Sequence, residues 1–342
     1  VADIMSPIKV KNVDFKNRVV MAPMVIFGLT SEDGVMEPKL VDHYLKRANN
    51  GMGLMISQAL SVSSENMVRG GASAYSDLHI KYLSKIKEEC HQNGTRFFAQ
   101  LAYPGFSYYG DNSNDINQLT KEDLDKIRDE FIHGAKVCKK AGLDGIEMHG
   151  AHTFFLNMMA SPQSNKREDE YGGDINGRLF LLKEIVEGIK DFAGDNFIIS
   201  YRMGWNDNID LDIKTAKAIE DMEVDILHVS SGIPGDRKLE IPEYFIYNEV
   251  VYTGCKVKKQ LNIPVIAVND IRTINRGKYL LEKDLCDFVA YGRPFLADEN
   301  FMNESLVDPT YDPCLGCKQC HWFENIDKCP GQIKAKKARE EV

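Results

Sequence analysis

No stretch of the 342-residue chain approaches 18 consecutive apolar residues, so no membrane-spanning helix is expected. The N-terminal Val1-Ala2-Asp3-Ile4-Met5 has neither a basic start nor a long apolar centre. No secretory leader is therefore expected, and a cytoplasmic location is the default. Positive charge is in deficit: 42 Lys and Arg stand against 51 Asp and Glu, a net −9, which argues against a nucleic-acid groove. The one basic cluster, Lys334 to Arg339, is short and interleaved with alanines, and reads as a solvated helix end. No GxGxxG occurs, so the glycine-rich first turn of a doubly wound dinucleotide fold is missing. Low-complexity tracts are absent too, and with 43% hydrophobic residues the chain can bury a large core.

What is present is a repeated alternation. Short apolar runs are expected to form strands at 18–21, 53–56, 96–101, 145–148, 197–201, 225–229, 264–268 and 286–291. Segments of helical spacing separate them. One has Leu124, Ile127, Phe131, Ala135 and Cys138 on one side and a capping box at Thr120 and Asp123. Eight strands alternating with helices is the sequence form of an α/β fold of the (β/α)8 TIM-barrel type. The pattern covers residues 1–300 and fails after Phe295, which leaves 301–342 as a cysteine-rich C-terminal extension.

In such a barrel the C-terminal strand ends share one face, where sites are built. The stretch from Asp144 to Arg178 supplies His149 and His152 there. The other ends bring Pro23-Met24, Gln58-Ala59, Gln100, Arg202, Ser230-Ser231-Gly232, Asn269-Asp270 and Gly292-Arg293. The turns after strands 6 to 8 suit a phosphate, held by backbone N–H groups and a helix start. By themselves Gln100 or Arg202 would read as structural, and a lone HxxH is weak as a zinc site; it is their common face that singles them out.

The segments APM at 22–24, QLAYPG at 100–105, HGAH at 149–152, SPQSNKREDEYGGDINGR at 161–178 and YGRPFLAD at 291–298 resemble the Old Yellow Enzyme family of FMN-dependent barrels. The resemblance implies flavin contacts from Ala22, Pro23, Met24, Val25, Ala59, Gln100 and Arg202, with Gln100 on the pyrimidine edge and Arg202 near N1 and O2. It implies a phosphate grip at Gly292 and Arg293, in which Ser231, Gly232 and Asn269 on the neighbouring turns are expected to join. His149 and His152 match the pair that binds a substrate carbonyl oxygen, so that hydride from flavin N5 can attack the β-carbon. Two departures stand out. Many members carry a tyrosine proton donor two residues after the second histidine, where this chain has Phe154. Many also have His-Ala-Gly-Arg where this chain has Tyr103-Pro104-Gly105-Phe106. Tyr103 is then the expected donor, with Tyr108, Tyr109 or water as substitutes.

Eight cysteines would suggest disulfides in a small secreted chain, which this is not. Cys90, Cys138, Cys255 and Cys286 are scattered and read as buried inert thiols. Cys314, Cys317, Cys320 and Cys329-Pro330 have a spacing close to the bacterial ferredoxin pattern, which points to a [4Fe–4S] cluster; His321 is a substitute ligand. A cluster after the eighth strand resembles the branch containing 2,4-dienoyl-CoA reductase, trimethylamine dehydrogenase and the anaerobic enoate and bile-acid reductases. That branch typically continues into further nucleotide-binding domains. The chain is then either part of a longer protein or a single module served by a separate electron-transfer flavoprotein or ferredoxin.

The expected activity is reduction of the C=C bond of an α,β-unsaturated carbonyl compound, with NAD(P)H as direct or indirect donor. The rival is an amine dehydrogenase or demethylase, and a third reading is a non-catalytic electron-transfer or zinc-stabilised barrel. Substrate shape would be set by loops that include Phe27 and 235–245, where Asp236, Arg237 and Lys238 could meet a charged tail. A homo-oligomer is compatible with the sequence.

Overall fold

A computed structural model of the chain describes residues 2–104, 114–206, 208–233, 239–320, 322 and 325–341. Gly105, Phe106, Tyr108, Tyr109, Asp236, Arg237, Lys238 and His321 lie outside the described residues. Eight parallel strands close into a barrel: β1 (Val19–Met21), β2 (Leu54–Ser61), β3 (Arg96–Ala102), β4 (Gly145–Gly150), β5 (Ile198–Gly204), β6 (Ile226–Ser230), β7 (Val265–Ala267) and β8 (Phe288–Tyr291). β8 pairs with β1 to complete the ring. The expected strands therefore form, though several run further than expected, β2 as far as Ser61. β4 continues through His149 to Gly150, and β5 continues through Arg202 to Gly204, so two expected loop residues lie within the ladder.

Side chains alternate across a strand, so each buries one set inside the barrel and one set against the outer helices. The outer set packs on helices such as Pro38–Ala48, Ile80–Gln92, Lys121–Lys140 and Phe180–Ala193. Thr120 and Asp123 form the expected capping box, each side chain accepting from the other's backbone N–H. The inner set at the N-terminal end is apolar: Val20, Leu54, Ile56, Phe98, Ile198, Ile226, Ile266 and Phe288 form one cluster. A hairpin of Ile8–Val10 and Val13–Phe15, which the strand pattern did not predict, closes this end. The Phe15 ring meets Phe98 and Phe288 edge-on, with centroids 6.1 and 5.3 Å away.

The ladder is also tied together in pairs. An aspartate just before each of β4, β6 and β8 accepts a backbone N–H from the first or second residue of the preceding strand. Asp144 takes Phe97 N at 2.9 Å, Asp225 takes Ile199 N at 2.8 Å and Asp287 takes Val265 N at 2.8 Å. Each carboxylate also meets a cation, respectively Arg96, Lys11 and Lys258. β2 uses a close approach instead: a Cβ on Gly53 would lie 2.3 Å from the Asn17 carbonyl oxygen.

The residues after β8 dock on the barrel. Asp298, fully buried, receives Arg339 from the helix Pro330–Glu340 at 2.6 Å and the Tyr311 hydroxyl at 2.7 Å. A Cβ on Gly331 would stand 2.4 Å from the Pro313 carbonyl oxygen, so the helix seats closely.

Phe15→Ala is expected to destabilise the fold by about 3–5 kcal/mol, because it empties the space between Phe98 and Phe288. Urea unfolding measures this; a loss below about 1 kcal/mol would mean that the hairpin does not close the floor.

Candidate functional site

Above the apolar floor the barrel interior turns polar. Register puts Gln100 beside Glu147, Glu147 beside Ser200, His149 beside Arg202 and Arg202 beside His228. Glu147 and His228 have no exposed surface. Gln100 Nε2 donates to Glu147 Oε1 at 2.8 Å, His228 Nδ1 meets Glu147 Oε2 at 2.8 Å and the Ser200 hydroxyl donates to Oε2 at 3.4 Å. Burial opposes the charge on Glu147, but His228, Arg202 and the Gln100 amide outweigh it and hold the carboxyl below its usual range. Burial pushes Arg202 down to about 10, against the attraction of Glu147, so the guanidinium stays cationic at neutral pH. Glu147 and His228 were not among the expected site residues. The signal was there: in GIEMH and ILHVS a polar residue interrupts a buried strand on the inward parity.

His149, 3% exposed, lies one layer higher on β4. Burial, with His152, Arg202 and His228 nearby, pushes its imidazole well below 6.5. Phe154 stacks on it at 4.3 Å and 29°, and its Nδ1 has no hydrogen-bond partner. The His152 ring stands edge-on to it at 5.1 Å and reaches the Ser230 hydroxyl at 2.8 Å. His152 and Thr153 hold φ of 55° and 64°, a region that costs side-chain-bearing residues energy and tends to cluster at functional sites.

Beside this wall lies a cavity of about 330 Å³. Of the expected cofactor contacts, Ala22, Pro23, Met24, Arg202, Asn269, Gly292 and Arg293 line it together. Arg293 ion-pairs with Asp270 across it, and Arg272 and Trp322 complete the rim. The Nε of Arg202 is buried and has no partner. Val25 and Ala59 face a smaller apolar slot, about 40 Å³, with Phe27, Phe154 and Pro104. Gln58, expected with Ala59 at the end of strand 2, pairs both ends of its amide with the backbone of Ile26 at 3.3 Å and so ties down the chain just after the 22–25 segment. Ser231 accepts from Asn269 Nδ2 at 3.4 Å, and its carbonyl takes the His152 N–H. Gly232 faces elsewhere: a Cβ there would lie 2.1 Å from the Trp205 carbonyl oxygen, so it serves the packing of β5 against β6.

Tyr103 is not brought to the mouth. It follows β3 on the outward parity, packs on Phe155 and accepts from Asn66 Nδ2 at 2.7 Å. The 161–178 segment is a structural brace. Buried Arg167 binds the carbonyls of Ile116 and Leu119, and Asn165 binds those of Met159 and Tyr171. Cys90, Cys138, Cys255 and Cys286 are buried as expected. Cys314, Cys320 and Cys329 are half-buried and Cys317 is exposed. Among the described residues, no three His, Cys, Asp or Glu side chains stand close enough to hold a metal ion. Burial raises the Cys320 thiol, and Cys329, Cys314 and Cys317 are near enough to raise it further.

A family model described as NADH:flavin oxidoreductase / NADH oxidase matches residues 3–305. The chain is 30% identical to an NADH oxidase from Thermoanaerobacter brockii over 92% of its own length; it spans only about half, 52%, of that protein. It is 31% identical to an NADPH dehydrogenase from Bacillus licheniformis, with 86% of this chain and 91% of the relative covered. The old yellow enzyme homologue from Zymomonas mobilis superposes with a TM-score of 0.74 at 21% identity, covering 95% of this chain and 99% of the other.

Burial pushes His43, His149 and His228 below 6.5 in the folded chain. Unfolded, these residues take up protons near 6.5 that the folded state refuses, so their contribution is full above that pH and is lost as pH falls. The melting temperature is expected to drop from about pH 7.5 to about pH 5.5, and to drop less in His43→Phe. A melting temperature flat across this window would refute the assignment of buried neutral histidines.

Proposed function

The chain belongs to the NADH:flavin oxidoreductase / NADH oxidase family of FMN-dependent oxidoreductases, and on that premise we propose that its barrel mouth reduces the C=C bond of an α,β-unsaturated carbonyl compound. The observation that carries this reading is the His149–His152 pair on the wall beside Arg202, with His149 held neutral.

The residues present fit FMN. The unpartnered Nε of Arg202 and Nδ1 of His149 want polar groups, and Gly292 keeps the phosphate end open, since a Cβ there would meet Met24 Sδ at 3.3 Å. The Arg293 guanidinium lines the same cavity with Asn269 and Gly292, and Ser231 stands behind Asn269, accepting from its amide. When bound, FMN supplies a two-electron hydride donor that NAD(P)H can recharge. In this reading Gln100 and Arg202 hold the pyrimidine edge, and Ala22 to Val25 and Ala59 line the ring. Each neutral imidazole offers one N–H, and two such donors orient a carbonyl oxygen and withdraw electron density from the conjugated bond. Phe154 has no O–H to give and Tyr103 is turned away, which leaves Tyr108, Tyr109 or water to protonate the α-carbon. The narrow apolar slot of Phe27, Phe154 and Pro104 suits a flat hydrocarbon portion of the substrate.

We further propose that residues 1–300 are the FMN unit and 301–342 an extension whose Cys314, Cys317, Cys320 and Cys329 bind a [4Fe–4S] cluster, as in the iron–sulfur branch of the family. Cys320 and its three neighbouring cysteines are the soft donors that such clusters take, although among the described residues no three of them stand close enough to hold a metal ion in this structure. A bound cluster supplies a one-electron centre for exchange with a separate electron-transfer protein. Trp322, from the same segment, reaches the rim of the cavity. A second reading, dehydrogenation of a small amine with electrons leaving by the same extension, is favoured by Phe154, which removes the usual acid.

His149→Ala with His152→Ala is expected to lower kcat/KM for an enone by about 10²-fold or more while FMN stays bound, the scale for losing donors to a developing oxyanion. Dithionite-reduced protein is the direct assay: flavin that stays reduced across a broad enone panel, yet is bleached by an amine when oxidised, would reverse the two readings. After anaerobic reconstitution, iron and sulfide should approach four of each per chain. Cys317→Ala should lose them, and equal iron in the variant would refute the cluster.

A further inference from the structure

A fully buried carboxylate lies one side-chain layer beneath the expected flavin site. Glu147 precedes His149 by two residues on β4, roughly 6.6 Å down the strand. An ionised carboxylate can only accept hydrogen bonds. Gln100 must therefore turn its NH2 toward Glu147, as the 2.8 Å Nε2–Oε1 bond records, and its carbonyl oxygen away from it. A free glutamine would present either end. The carboxylate removes that choice, in a place where the next group above is expected to be the alternating acceptor and donor edge of a flavin.

The charge has a second consequence. Arg202, 5% exposed, neighbours His149 and His228 across the ladder, and Glu147 is the anion that offsets it. Packing alone does not need that charge. A neutral glutamine has the same shape and could accept from Gln100 through its carbonyl oxygen while its NH2 donates to the other tautomer of His228, without the cost of burying an ion. What only the carboxylate supplies is negative charge under the guanidinium, in an interior where opposite charges interact strongly.

We propose that Glu147 is a positioning residue for the flavin: its carboxylate fixes which end of Gln100 faces the mouth and tempers the positive charge of Arg202, and so sets how strongly the site prefers reduced over oxidised FMN. This rests on the FMN reading above. The site is built to moderate, rather than maximise, the pull of its arginine on added electrons.

The test is the midpoint potential of the bound FMN, measured by anaerobic spectroelectrochemistry on purified FMN-loaded protein. Glu147→Gln should favour reduced over oxidised FMN about tenfold more than the native chain does, a rise of about 30 mV for a two-electron couple. Glu147→Asp, which keeps the charge, should stay within about twofold of the native ratio. If Glu147→Gln does not fold, Glu147→Met removes the same charge at similar length and carries the same expectation. A merely structural role would weaken folding or FMN affinity in both variants without separating their potentials. FMN bound with an unchanged potential in the charge-free variant overturns the proposal. Failure of the native chain to bind FMN overturns the functional reading itself.

Discussion

A charge with no access to water survives only where its surroundings answer it, and the mouth of this barrel is arranged around that requirement. Glu147 takes hydrogen bonds from Gln100, His228 and Ser200 on the two neighbouring strands and the next one round, and faces the guanidinium of Arg202. Those partners come from β3, β5 and β6, so the register of four strands is coupled to one carboxylate. A slip of one residue in any of them would turn its polar partner outward and leave the charge unanswered. The division of the interior into an apolar floor and a polar upper layer follows from the same fact. Phe15 and its neighbours exclude water from below, and that exclusion strengthens every interaction above.

The segment after β8 is held by the same principle at another point. Asp298 is buried at the end of the helix Arg293–Ala297 and is answered by Arg339 and Tyr311 from the extension. On the inner side, fully buried Arg47 binds the carbonyls of Phe295 and Leu296. Arg272 reaches from the cavity rim to the Cys314 carbonyl and Asp312. The short helix that begins at the expected phosphate grip is thus gripped from two sides, once by the barrel and once by the cysteine-bearing segment.

Much of this was legible in the sequence because it depends on local periodicity. All eight strands, the capping box at Thr120 and seven of the fifteen residues that line the cavity follow from short apolar runs, helical spacing and what stands at strand ends. Legibility failed where a residue's direction, rather than its position, decides its role. Tyr103 sits at the right end of β3 but on the outward parity, so its hydroxyl meets Asn66 instead of the mouth. Gly232 looked like a phosphate turn, yet it is a glycine because the Trp205 carbonyl leaves no room. The hairpin at Ile8–Val10 and Val13–Phe15 has arms of three residues, too short for a period to register. Glu147 and His228 were missed because they lie inside the expected strands 145–148 and 225–229, whereas site residues were sought only at strand ends.

The aspartates that open β4, β6 and β8 bear on how such a barrel can be assembled and taken apart. Each spends its carboxylate on the strand before it, so β3 is fastened to β4, β5 to β6 and β7 to β8 by a bond outside the regular ladder. Between β4 and β5, and between β6 and β7, no aspartate makes such a bond among the described residues; beyond the ladder, the Ser200 hydroxyl meets Glu147 across the first of these joints and Asn269 meets Ser231 just past the second, both at 3.4 Å. The ring is thus a set of double-stranded staves, with natural seams between them rather than at every strand. Grafting, shuffling or circular permutation that respects those seams would move whole staves and leave each aspartate with its own partner.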